Sequence, residues 1–181
     1  MSIHLTYFVH GTTTDNEKDI SSGWADVELS ELGKQQSVDL KDLIKNRKFD
    51  VVFCSDLKRA VESARLIFEK ATPIVSDKRL RECNYGDFNG KPSSIVEPLQ
   101  EKYVTTVFPH GESYEGVKSR VEDFLKYLKS TYDGKNIAIV AHKAPQLALD
   151  VLVNGKTWEQ AFAEDWRKRK VWQPGWEYIL K

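Results

Sequence analysis

Residues 3–11 read IHLTYFVHG, a run rich in β-branched and aromatic residues that stops at His10-Gly11. This is the pattern of a buried strand running into a tight loop. Residues 136–142, NIAIVAH, repeat it, with His142 standing where His10 stands in the first. Residues 50–54, DVVFC, form a third strand, and Ile74-Val75 and Trp176–Leu180 are expected as a short strand and an edge strand. The segments between them carry helical stripes. Ser30 is placed to cap a helix that starts at Glu31 and runs towards Ile44. Leu57, Ala60, Val61, Ala64, Ile67 and Phe68 line one helical face, and Val117, Val121, Phe124, Leu125 and Leu128 another. Pro145 suits the first turn of a helix with Leu147, Leu149 and Leu152, and Trp158, Ala161, Phe162 and Trp166 make a last stripe. Strands alternating with amphipathic helices give an α/β fold with a mostly parallel sheet.

From Cys83 to Ser113 the pattern breaks. Three glycines, three prolines and no sustained period predict a long surface excursion. No repeat or low-complexity tract interrupts the chain, so residues 1–181 are expected to be one domain, closed by a Trp-rich segment over about 156–181.

The composition excludes several classes. The 27 Lys+Arg balance 27 Asp+Glu, which removes the usual argument for a nucleic-acid or membrane-surface protein. No apolar stretch approaches the roughly 18–20 residues that span a bilayer, and the opening MSIHLTYFVH lacks the basic start and cleavage site of a signal peptide. Cys54 and Cys83 make no disulfide framework. The expectation is a cytoplasmic protein.

Ligands of open α/β sheets bind beyond the carboxyl ends of the strands. His10 and His142 follow the two best strands, and Ser55-Asp56 and Arg59 follow the third. That rim therefore gathers two imidazoles and a guanidinium. The surrounding blocks are YFVHGTTTDN (7–16), CSDLKRAVESA (54–64), LRECNYGDFNG (80–90), PHGES (109–113) and IVAH (139–142). In this order they resemble the histidine phosphatase superfamily, the phosphoglycerate-mutase-like group, over about residues 3–150.

The resemblance implies a three-layer α/β/α sandwich and a metal-independent phosphomonoesterase that needs no cofactor. His10 would be the nucleophile that becomes phosphohistidine. Arg59 and His142 would hold the phosphoryl oxygens, and Glu82 would protonate the leaving oxygen and then activate water. Gly11, Thr12 and Asn16 would add phosphate contacts, and Thr13, His110, Glu112 and Ser113 are candidate substrate contacts. Glu112 is the second choice as proton donor. The implied partner is a small phosphorylated metabolite, with no nucleic acid or membrane; a homodimer is left open. The alternatives are a degenerate member that binds a phosphorylated ligand with little turnover and, ranked lower, a phosphoglycerate mutase.

One departure stands out. The family's arginine before the first histidine is Val9 here, which predicts reduced activity unless another cation compensates. Lys143 is the first choice, with Arg81 and His110 behind it; a solvent-facing Lys143 is the even alternative.

Other signals weigh less. His110-Gly111-Glu112 matches a zinc deaminase H-x-E without its downstream cysteine pair. Gly155-Lys156-Thr157 ends like a P-loop, but Asp150 occupies the first glycine position. The basic run Arg167–Lys170, between Trp166 and Trp172, reads as a solvated helix end. The tryptophans of the last segment are expected to complete the core.

Overall fold

β1 (Ile3–Val9) lies between a parallel and an antiparallel neighbour, and this arrangement places the site. The chain continues through β2 (Ile20–Ser21), α1 (Glu31–Ile44), β3 (Val51–Cys54), α2 (Lys58–Ile67), β4 (Ile74–Ser76), β5 (Lys91–Pro92) and α3 (Ser93–Val96). Then follow α4 (Tyr114–Thr131), β6 (Asn136–Ala141), α5 (Lys143–Asn154), α6 (Trp158–Ala163) and β7 (Trp176–Leu180). These elements come from a computed structural model that describes residues 2–68, 72–169 and 175–181. Trp172 and Lys170 therefore lie outside the described residues.

The five-stranded sheet has the order β4-β3-β6-β1-β7, and only β7 runs antiparallel. Side chains alternate across it. Phe8, Val52, Cys54, Ala138 and Val140 face one side and pack against Leu40 and Ile44 of α1 and Ala64 and Ile67 of α2. Leu5, Tyr7, Phe53, Ile137 and Ile139 face the other, against Val117, Val121 and Phe124 of α4 and Leu147 and Ala148 of α5. Helices cover both faces of the sheet, as the resemblance implied, and the sheet is mostly parallel, as the alternating pattern predicted. Burying each such Val, Leu or Phe side chain contributes roughly 1.5–3 kcal/mol.

Helix ends follow the sequence. The Ser30 hydroxyl accepts the Gly33 N–H at the start of α1, and Ser113 does the same for Gly116 at α4. The 83–113 excursion consists of short 3-10 turns, α3 and a two-stranded ribbon of β2 with β5, pinned by Tyr85, Tyr103 and Phe108. Among the described residues no helix is long and apolar enough to cross a membrane.

Candidate active site

β1 and β6 pair in parallel with Val9 opposite Ala141. Adjacent strands lie roughly 4.8 Å apart, so the residues that follow must emerge side by side. They do: the rings of His10 and His142 stand edge-on with centroids 5.0 Å apart. Tyr7 fixes the second ring's backbone. Its hydroxyl donates to the His142 carbonyl (2.6 Å) and accepts the His142 N–H (3.0 Å).

His10 borders a cavity of about 680 Å³, whose wall also includes Val9, Asn16, Arg59, Glu82 and Lys143. The His10 Nδ1 is 2.7 Å from the Gly11 carbonyl oxygen. A carbonyl only accepts, so Nδ1 carries the hydrogen and the Nε2 lone pair is left free. His142 is fully buried behind it, and neither of its ring nitrogens has a hydrogen-bond partner.

Both imidazoles resist protonation. Burial first, and the Arg59 charge second, push the pKa of His10 down to about 3. Burial, then Arg59 and His10, hold His142 well below the usual 6.5. In the unfolded chain both would bind protons near pH 6.5. Below that pH the unfolded state therefore binds more protons than the folded one, and stability falls as acid is added. Urea melts between pH 6.5 and 5 are expected to show a stability slope approaching two protons, falling towards one in His142→Ala. A slope unchanged in that variant would contradict this assignment.

Arg59, buried at the start of α2, donates Nη1 to the Ala25 carbonyl (2.9 Å) and Nη2 to Gly23 (2.7 Å). Among the described residues no carboxylate binds it, and it borders the cavity. Glu82 is also buried. Its Oε1 accepts the N–H groups of Cys83 (2.8 Å) and Ala144 (3.0 Å), and its Oε2 accepts that of Lys143 (3.2 Å). The carboxyl group thus sits on the first amides of α5.

The loop after His10 departs from its expected role. Gly11 N–H donates to the Ser63 hydroxyl, Thr12 N–H to Gln36 Oε1, and Thr13 N–H to Asn16 Oδ1. These three backbone donors are therefore engaged within the protein, and Gly11, a candidate phosphate contact, and Thr13, a candidate substrate contact, do not border the cavity. Thr12 and Asn16 do border it. The loop is fixed by a close approach: a methyl group on Gly11 would collide with the Gly33 carbonyl, and one on Gly33 with that of Thr12.

Three candidate contacts lie away from the cavity. His110 sits in a left-handed turn (φ 57°), 85% exposed, with its ring against Asp87. Glu112 is bound to Arg120 (2.7 and 3.1 Å) and to the Asn84 N–H, so it holds the Glu82 segment and is no alternative proton donor. Ser113 is spent on the α4 cap. Arg81 pairs with Asp56 and stacks on Trp24.

Lys143, by contrast, is buried and borders the cavity; its Nζ lies 3.1 Å from Gln100 Oε1 and 3.4 Å from Asp165 Oδ2. Burial and then Arg167 pull its pKa down to about 8, against Asp165. The basic run was read as a solvated end, yet Arg167 and Lys168 border the cavity, as does Trp166. Gln36 and Asp165 are wall residues that sequence reasoning missed. They sit in no motif, and only the folded contacts reveal them.

The sequence and the fold both match known proteins. Residues 7–172 match the family model described as the histidine phosphatase superfamily (branch 1). The chain belongs to that superfamily. The match continues past residue 150, where the motifs stop, so the family resemblance extends into the segment holding Trp158 and Arg167. It is 34% identical over 149 residues to a 2,3-bisphosphoglycerate-dependent phosphoglycerate mutase of Cytophaga hutchinsonii, covering 74% of this chain and 68% of that one. It is 31% identical over 147 residues to the uncharacterized phosphatase PhoE of Bacillus subtilis, covering 81% and 75%. Among solved structures, the α-ribazole phosphatase of Shigella flexneri superposes with a TM-score of 0.77 at 27% identity, covering 88% of this chain and 84% of that one. A mycobacterial glucosyl-3-phosphoglycerate phosphatase in complex with VO3 gives 0.78 at 28% identity, covering 88% and 86%.

Proposed function

We propose that this histidine phosphatase hydrolyses small phosphomonoesters through a phosphohistidine at His10. The observation that carries the reading is the Nδ1–H bond to Gly11, which leaves a neutral Nε2 lone pair at the cavity wall. In the first step Nε2 attacks phosphorus, an N–P bond forms, and the ester P–O bond breaks. The leaving oxygen takes a proton from Glu82. In the second step water attacks phosphorus, its proton passes to the Glu82 carboxylate, and the N–P bond breaks. Arg59 and His142 hold the phosphoryl oxygens, where charge concentrates during both displacements. Asn16 adds a donor, because its Oδ1 is engaged with Thr13 and its amide nitrogen has no partner among the described residues. Lys143 adds positive charge while it is protonated. A cavity of about 680 Å³ suits a metabolite-sized substrate.

Relatives include both phosphatases and phosphoglycerate mutases, and Val9 in the cavity wall favours a binding-only reading as the second choice. The purified chain, with chelator present, is to be tested on a panel of phosphomonoesters for phosphate release and for phosphoglycerate isomerisation. Release faster than isomerisation supports hydrolysis. Tight phosphate binding without release would replace it with the binding-only reading.

A further inference from the structure

A phosphoryl group entering the cavity brings about two negative charges, and Arg59 is the one buried guanidinium beside the two histidines. Position 9 adds none, because Val9 is apolar. The remaining cations of the wall are Lys143, Arg167 and Lys168. Lys143 is held by Asp165 and Gln100, and Lys168 is exposed. Arg167 is different. Its Nη2 binds Glu97 Oε1 at 2.7 Å and lies 3.4 Å from Asp165 Oδ2, with Nε also 3.4 Å from that oxygen. These carboxylates, themselves part of the cavity wall, fix the guanidinium, while Nη1 has no partner among the described residues.

Arg167 and Arg59 approach the same space from opposite parts of the chain. Each disfavours protonation of His10, and Glu82 and Tyr85 favour the charged form of each. Arg167 is 34% exposed at its side chain, so it stands at the wall and is not enclosed in the core.

We propose that Arg167, delivered by the segment after α6, is the second guanidinium of the phosphoryl site and binds the transferring group itself. The assignment rests on the phosphatase reading. It predicts that the loss of charge at position 9 is made good from a residue 158 positions further along the chain (167 minus 9). A guanidinium donates two parallel N–H bonds to a phosphoryl group, which a lysine cannot reproduce.

The test uses inorganic phosphate, read by calorimetric titration, and p-nitrophenyl phosphate, whose leaving group carries no second anion. In Arg167→Ala the phosphate Kd is expected to rise about tenfold or more, and kcat/KM for p-nitrophenyl phosphate to fall by on the order of 10²–10³. Arg167→Lys should recover part of this. Adding Val9→Arg to Arg167→Ala should restore at least tenfold, which a merely disordered segment would not allow. Wild-type phosphate binding that survives Arg167→Ala within twofold would overturn the proposal and leave the phosphatase reading intact, as would a loss that Val9→Arg does not restore. A wild-type chain that binds no phosphate would remove both.

Discussion

Replacing His10 by alanine is expected to abolish phosphate release, by on the order of 10⁴-fold or more, because removing a covalent nucleophile eliminates the step that the rest of the site supports. Phosphate binding should survive within about tenfold, since Arg59, Asn16 and the wall cations remain in place. The separation of the two effects is the informative part. A structural role for His10 would weaken binding and turnover together. Acid-labile phosphate should be trapped on the wild-type protein during turnover and be absent from His10→Ala. The free-enzyme pH profile adds a second signature. With its pKa at about 3, His10 is already neutral throughout pH 5–8, so no activity limb in that range belongs to the nucleophile. The descending limb should instead appear near pH 8, as Lys143 loses its proton and the cavity loses a positive charge. A variant that keeps more than a hundredth of the wild-type rate would assign the nucleophile elsewhere.

The strand ends were legible because β1 and β6 are short, buried and cut off by a histidine each, and a parallel pair forces such residues together. Arg59 was legible for the same reason, one strand further along the sheet. Glu82 was not: nothing in the pattern of residues 80–90 shows that its carboxyl reaches the first amides of α5, and it came only from the resemblance. Side-chain direction was the other gap. Lys143 follows a strand, and its orientation depends on Asp165 and Gln100, which are remote in sequence. Arg167 looked like part of a solvated basic run because its partners, Asp165 and Glu97, show their role only once the 83–113 excursion folds beside the last segment. The engagement of the backbone donors of residues 11–13 was hidden for a similar reason. Ser63 and Gln36 reach them from two helices, and no periodicity records that contact.

Glu82→Gln should separate proton transfer from phosphoryl transfer. General acid–base catalysis is worth about 10²–10⁴-fold, so an alkyl phosphate, whose alkoxide leaves poorly without a proton, is expected to lose that much. p-Nitrophenyl phosphate leaves as a stabilised phenolate, and its first step should be nearly indifferent, leaving only the slower attack of water on phosphohistidine. Phosphoenzyme should therefore accumulate with the aryl ester and not with the alkyl ester. The two oxygens differ in their bonds. Oε1 accepts two N–H bonds, while Oε2 accepts one at 3.2 Å and keeps room for a proton. The same bonds add a stability cost. Three backbone donors converge on the carboxylate, and a glutamine must turn its NH2 towards at least one of them, leaving a buried donor unpaired at a cost of about 1–3 kcal/mol. A lowered Tm with full activity on alkyl phosphates would reduce Glu82 to a cap of α5. Equal losses on both esters in the phosphorylation step alone would instead mean that the carboxylate orients the phosphoryl site rather than moving the proton.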